Sequence, residues 1–324
     1  MASYYPYLRG KQFELRALRE LTKLLPDYTN VCPVIEPLKD DQAGIRATMA
    51  DMLGYGMPFA LILNPCRGDF AADKGTFAKD AINYINELVS AKWTPAFLVD
   101  QGVDFAKKTI RAYSLKKVML VSQEGADFDE LKDLLDSGNV EYVVSSESRT
   151  LFRKIKHQYK RIKLIRLDDK FPAVKKNNDY RDTDESKNED QAFSEEHLFY
   201  KDDNIAGFSD YTLITKELSD GGALPYVVAI HLTYFGKENE FRIHHFLSDS
   251  NINGRENIQK KFAEAAIKVE KFFAKHKNDK TSAVNAIINY MKEGHYPGLG
   301  SLKKLSILHH IQLVDKYLRE IESK

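Results

Sequence analysis

Three carboxylates stand where short apolar runs give way to polar residues: Glu36 in VCPVIEPL, Asp100 in TPAFLVD and Asp210 in NIAGFSDY. Acids so placed can serve as general acid, general base or ligands of a divalent metal. Arg9, Lys11 and Lys39 follow two similar runs and could hold an anion such as phosphate, with Asn64 at the end of FALILN as a further substrate contact. Ser122, Gln123, Ser145, Ser146, Asp168, Asp169 and Ser209 complete a polar ring of mixed charge. For any one of these residues helix capping is the commoner role. Glu36 resists it best, because Pro37 holds it extended between apolar neighbours.

Histidines form a second constellation. His231 lies inside AIHLTYF, while His244 and His245 are adjacent in FRIHHFL and must point to opposite faces of a strand. One of that pair can meet His231 across a hairpin, an arrangement suited to metal binding or proton transfer, with His231 as general acid. A hydrogen-bonded or solvated hairpin face is the commoner outcome. His309 and His310, in the tail, read as surface residues of a helix.

The elements that must position these groups repeat with a strand and helix rhythm. The runs beginning at Cys32, Phe59, Thr94, Lys117, Val140 and Lys163 alternate with segments of helical apolar spacing at 12–25, 44–53, 76–90, 103–113, 127–135 and 149–159. YPYLRGK adds a strand before the first helix and NIAGFSDYTLI one after the last run, giving eight. Continuous apolar strands alternating with helices specify a parallel sheet covered on both faces, and eight of them specify a (β/α)8 TIM-like barrel. No Gly-x-Gly-x-x-Gly turn follows any strand, which removes the usual reason to favour an open dinucleotide-binding sheet. At strand C-terminal ends in such a barrel, residues far apart in sequence share one mouth.

The rhythm breaks at 175–203, where NNDYRDTDESKNEDQ reads as a long charged loop. After the eighth strand, PYVVAIHLTYF and EFRIHHFLSD alternate as a β-hairpin, and three helices follow, two of them separated by GHYPGLG. The expected organisation is a barrel over 1–224 with a hairpin and helical extension over 225–324, the helices packed on the barrel. RKIKHQYKRIK, from Arg153, reads as the solvated face of a barrel helix and only weakly as a nucleic-acid stripe.

The 324 residues are 43% hydrophobic and 29% charged, enough to bury a full core, and the formal charge of +1 draws the chain to no polyanion. No apolar run approaches a bilayer span and MASYYPYLRGK lacks the core of a signal peptide, so no membrane partner is expected. Cys32 and Cys66 lack metal-ligand spacing and suit reduced thiols in the cytoplasm. No Walker loop, Gly-x-Ser-x-Gly elbow, His-Glu-x-x-His or Cys-x-x-Cys motif is present.

YYPYLRGKQFELRAL, VCPVIEPL, and NIAGFSDYTLI with the following VVAIHLTYF and HHFLSD together resemble the Beta-protein family of bacteria and phages, over nearly the whole chain to about Phe273. The resemblance implies a barrel-type protein of the kind found among mobile-element or defence genes, and its matched positions are Lys11, Glu14, Glu36, Ser209, Asp210 and His231. Taken with the strand-end residues, the expectation is a cytoplasmic hydrolase acting on a nucleotide or nucleic acid. In it Arg9, Lys11, Lys39 and Asn64 bind substrate, Glu36, Asp210 and His231 carry catalysis, and Glu36, Asp100 and Asp210 hold a divalent metal. The alternative is a non-catalytic sensor or adaptor of a defence system that acts through a partner protein.

Overall fold

The computed structural model describes residues 2–25, 30–71, 75–88, 92–146, 149–181, 189–214 and 224–322. The chain divides into two compact units, Met1–Asp169 with Phe199–Tyr211, and Lys170–Leu198 with Thr212–Lys324.

The first unit opens with β1 (Tyr7–Arg9), α1 (Gln12–Leu24), β2 (Val34–Glu36), α2 (Ala43–Gly54), β3 (Phe59–Ile62), α3 (Thr76–Glu87) and β4 (Trp93–Leu98). It continues with α4 (Asp104–Tyr113), β5 (Val118–Ser122), α5 (Phe128–Asp136), β6 (Val140–Ser145), α6 (Arg149–Gln158) and β7 (Lys163–Asp168). The chain then contributes β8 (Asp190–Ser194) and α7 (Glu196–Phe199) before β9 (Gly207–Asp210). Strands β1 to β7 and then β9 lie side by side, each parallel to the next. The seam is drawn together ahead of β1: Tyr4 bridges both Val31 and Phe208, Tyr5 N donates to Phe208 O at 2.9 Å and Phe208 N donates to Ser3 O at 2.9 Å. The expected barrel is therefore what the strands build. At the start of α5, Asp127 caps the helix by accepting a hydrogen bond from Asp129 N at 3.3 Å.

Strand phase follows from the register. Tyr5, before β1, and Tyr142, on β6, are not neighbours in the sheet, yet their rings approach to 6.1 Å. Only side chains pointing into the barrel can meet in that way. Alternation then sends Tyr7 and Arg9 inward, and the pairing of Arg9 with Glu36 sends Glu36 inward beside them. Across the seam Gly207, Ser209 and Tyr211 share this phase, and the Tyr211 ring meets that of Tyr7 at 5.1 Å.

In the second unit β10 (Ala229–Phe235) and β11 (Phe241–Leu247) form the expected antiparallel hairpin, and β8 pairs with the far side of β11. That strand corrects the reading of 175–203 as loop; residues 182–188 of the segment lie outside the described residues. Asp190 looks like loop chemistry but accepts hydrogen bonds from Tyr234 Oη at 2.5 Å and from Arg242 Nε at 2.8 Å. The acid is neutralised by residues about fifty positions away, which no local pattern reveals. This pairing also moves Lys170–Leu198 out of the barrel unit, unlike the expected split near residue 224. Helices α8 (Ile258–Lys275), α9 (Ser282–Lys292) and α10 (Leu299–Glu322) follow, and α8 and α10 pack on the hairpin.

His309 and His310 are not surface residues. Both are buried where α10 meets β10: His309 Nε2 donates to Thr233 O at 2.6 Å and His310 Nδ1 lies 3.1 Å from Thr233 Oγ1. Their polarity suggested solvent, but each finds its partner inside the core. Among the described residues no helix is long and apolar enough to cross a membrane.

Candidate active site

Glu36 ends β2 with its carboxylate inside the barrel mouth and is fully buried. Tyr7 Oη donates to Glu36 Oε2 at 2.8 Å, and Oε1 is likewise buried. Loss of water around it raises the Glu36 pKa above the ordinary carboxylate range, although the Tyr7 bond, then the charges of Arg67 and Arg9 and the polar side chain of Gln123, oppose the rise. Burial and the neighbouring Glu36 charge push the Tyr7 hydroxyl far up, so Tyr7 stays a proton donor to this bond at all working pH. Arg9 is 2% exposed and lies over the Tyr211 ring, 5.6 Å from its centroid.

Arg67 was not among the residues singled out from sequence, because it lies beyond the end of β3 in the NPCRGD loop. Gly68 brings it in. Its φ is +62°, and a Cβ there would stand 2.3 Å from the Leu38 carbonyl oxygen. With Asp69 N donating to that same oxygen at 2.9 Å, the loop after β3 is pinned onto the loop after β2. The positive-φ glycine beside a strand end was the readable signal.

The other expected residues divide. Asp100 accepts from Ser122 Oγ at 2.7 Å, Gln123 N at 2.8 Å and Glu124 N at 3.2 Å, so it clamps the loop that carries Gln123. Asn64 is a splint: Nδ2 donates to Leu98 O at 2.7 Å and Oδ1 accepts from Leu98 N at 2.8 Å. Lys39 has a side chain 68% exposed and faces Asp69 at 3.4 Å, away from the buried cluster. Lys11, half-buried, is the residue at the head of α1.

Asp210 requires a correction. It lies one residue from Ser209 and Tyr211, which share the inward phase of Glu36, so its own side chain turns to the outer face. There it accepts from Tyr4 Oη at 2.8 Å, on the face where the rings of Tyr4 and Phe208 stack at 5.1 Å. Glu36 and Asp210 thus sit on opposite sides of the sheet, and Asp100 is already saturated by three donors. Among the described residues no group of three or more His, Cys, Asp or Glu side chains could hold a metal ion. The expected Glu36, Asp100 and Asp210 donor set does not fit a divalent metal.

His231 belongs to the second unit. It pairs with His245 in the hairpin register, Nδ1 to Nδ1 at 2.6 Å, and the Tyr180 ring stacks on His245 at 3.8 Å. The adjacent His244 turns to the opposite face and reaches Asp190 at 3.3 Å, as strand alternation requires. Burial holds His231 down to about 4 and His245 down to about 2. One ring nitrogen of the close pair donates and the other accepts, and burial, which disfavours the charged form, keeps both rings neutral near pH 7. A general acid must carry its proton at the working pH, and His231 does not.

No family model matches this chain, and no curated protein matches it significantly.

Proposed function

We propose that the barrel unit is a hydrolase of a phosphate-containing substrate, a nucleotide or nucleic acid, with Glu36 as its acid–base group and Arg67 and Arg9 as its phosphate ligands. The likeness to the Beta-protein family, and a setting among defence or mobile-element genes, belong to the same proposal. The observation that carries it is a buried carboxyl at the C-terminal mouth of a barrel, held by Tyr7 and within electrostatic reach of two guanidinium groups. Guanidinium groups match phosphate oxygens in shape and charge. A carboxyl raised by burial is poised to exchange protons closer to neutrality than a solvated one. In the reaction Glu36 takes a proton from water as the water oxygen bonds to phosphorus. The leaving oxygen receives that proton as its bond to phosphorus breaks. No step is routed through a metal.

The test is Glu36→Gln, assayed for turnover of a panel of nucleotides and phosphate esters. Turnover is expected to fall about 10²- to 10⁴-fold, the usual worth of a general acid–base group. A raised carboxyl pKa means that the fold prefers the neutral form, so the unfolding midpoint at neutral pH should hold or rise with Gln. A folded variant with unchanged turnover would falsify the assignment. A non-catalytic adaptor is the second reading, favoured by the depth at which Glu36 (0% exposed) and Arg9 (2%) sit. In that case the cluster is barrel core and Glu36→Gln leaves partner binding intact.

A further inference from the structure

Beside the Glu36 cluster, at the C-terminal ends of β3 and β4, the barrel carries a cavity of about 270 Å³ that the chemistry described so far does not use. Phe70, Pro65 and Phe105 give it apolar walls, Gln101 and Asp104 supply polar edge groups, and Cys66 also lines it. The loop that supplies Pro65 and Cys66 to the cavity runs directly on into Arg67, whose charge acts on Glu36. Phe105 is held in place rather than free to fill the space. Its ring lies against Phe97 at 6.3 Å and so close to Gly75 that a Cβ there would stand 2.8 Å away.

Size and chemistry narrow the occupant. Pockets for whole drug-sized ligands run from about 300 Å³ upward, so this one takes a single ring system and not an extended molecule. Aromatic walls favour a flat face, since stacking on Phe is available to any planar ring. Asp104 and Gln101 are exposed side chains that can accept from and donate to the edge of that ring. Arg67 follows Cys66, a lining residue, directly in the loop, so a cation stands one residue along the chain from the cavity wall.

We propose that this cavity is the base subsite of the barrel: the heterocyclic base of a nucleotide stacks against Phe105, with Asp104 and Gln101 at its edge, while its phosphate lies toward Arg67. The inference rests on the phosphate-substrate proposal and names its substrate class as nucleotide. Calorimetric titration of the full chain separates the two. The probes are the four common nucleoside monophosphates, their nucleosides, ribose 5-phosphate and inorganic phosphate. At least one nucleotide is expected to bind about ten-fold or more tightly than ribose 5-phosphate, and Phe105→Ala is expected to erase that advantage while leaving inorganic phosphate binding unchanged. Asp104→Asn, an exposed change that leaves the fold intact, is expected to alter the order of preference among the bases.

Equal affinity for ribose 5-phosphate and every nucleotide would overturn the base subsite while leaving the phosphate site standing. Nucleosides binding in a Phe105-dependent way, with no affinity for phosphate, would uphold the subsite and overturn the phosphate reading. Absence of binding by every probe would overturn both. Should Phe105→Ala unfold, Phe105→Leu decides the same question, because it keeps the bulk and loses the aromatic face.

Discussion

Acidified from about pH 7.5 to about pH 5, the protein is expected to lose stability before its solvated carboxylates titrate, through buried histidines that must stay neutral to remain folded. His309 is fully buried, donates through Nε2 to Thr233 O at 2.6 Å and has Thr281 Oγ1 2.9 Å from its Nδ1; burial brings it down to about 4. His231 is likewise held at about 4 and His245 at about 2. An unfolded histidine titrates near 6.5, so the unfolded chain binds protons below that pH while the folded chain does not. The stability is fully present above about pH 6.5 and drains away as pH falls toward the folded values.

For His309 alone the loss between those limits is about 3 kcal/mol, a large share of the roughly 5–15 kcal/mol that a domain commonly has. The paired His231 and His245 act in the same direction. Asp190 titrates in a separate window: its hydrogen bonds to His244, Tyr234 and Arg242 outweigh burial and hold it down to about 2. Its contribution is present above its unfolded pKa near 3.9 and goes only as pH falls from there toward the folded value. Denaturant midpoints measured at half-unit pH steps should therefore decline from about pH 6.5, and His309→Gln, which can still donate to Thr233, should flatten the decline. A midpoint constant down to about pH 4 would show that these rings are not kept neutral by the fold.

At the barrel seam, Gly207→Ala is expected to be among the most damaging single-methyl changes in the molecule. A Cβ at Gly207 would stand 2.4 Å from the Ser3 carbonyl oxygen and 3.0 Å from the Tyr5 ring. That oxygen accepts the Phe208 N–H that helps to close the barrel, so the methyl can be housed only by pushing the 3–5 segment off β9. Backbone cannot swing aside as a flexible side chain does. The expected cost is roughly 1–3 kcal/mol or more, seen as a lower urea midpoint. Gly54→Ala supplies the control, because nothing lies within 4 Å of its Cβ position and it sits in α2. That change should hold or raise the midpoint by virtue of helix propensity. If both variants unfold alike, the close approach at the seam does not govern closure.

The set of elements and most of their order can be read along the chain. Runs such as FALI and VMLVS are too uniformly apolar for any setting but a covered parallel strand, and the spacing along α1 and the alternation of β10 and β11 are equally local. Glu36 was legible too, because a following proline and apolar neighbours act within a few residues. Facing and pairing came instead from contacts between distant segments. Asp210 turned to the outer face because strand phase reverses with every residue, and the phase of β9 is set by Tyr4 and Tyr5, some two hundred positions earlier. Arg67 entered the site through the close approach of Gly68 to Leu38, β8 existed only because β11 lay beside it, and His309 was buried by a carbonyl on β10. Periodicity is written along the chain, but a side chain's environment is written by whatever distant segment packs against it.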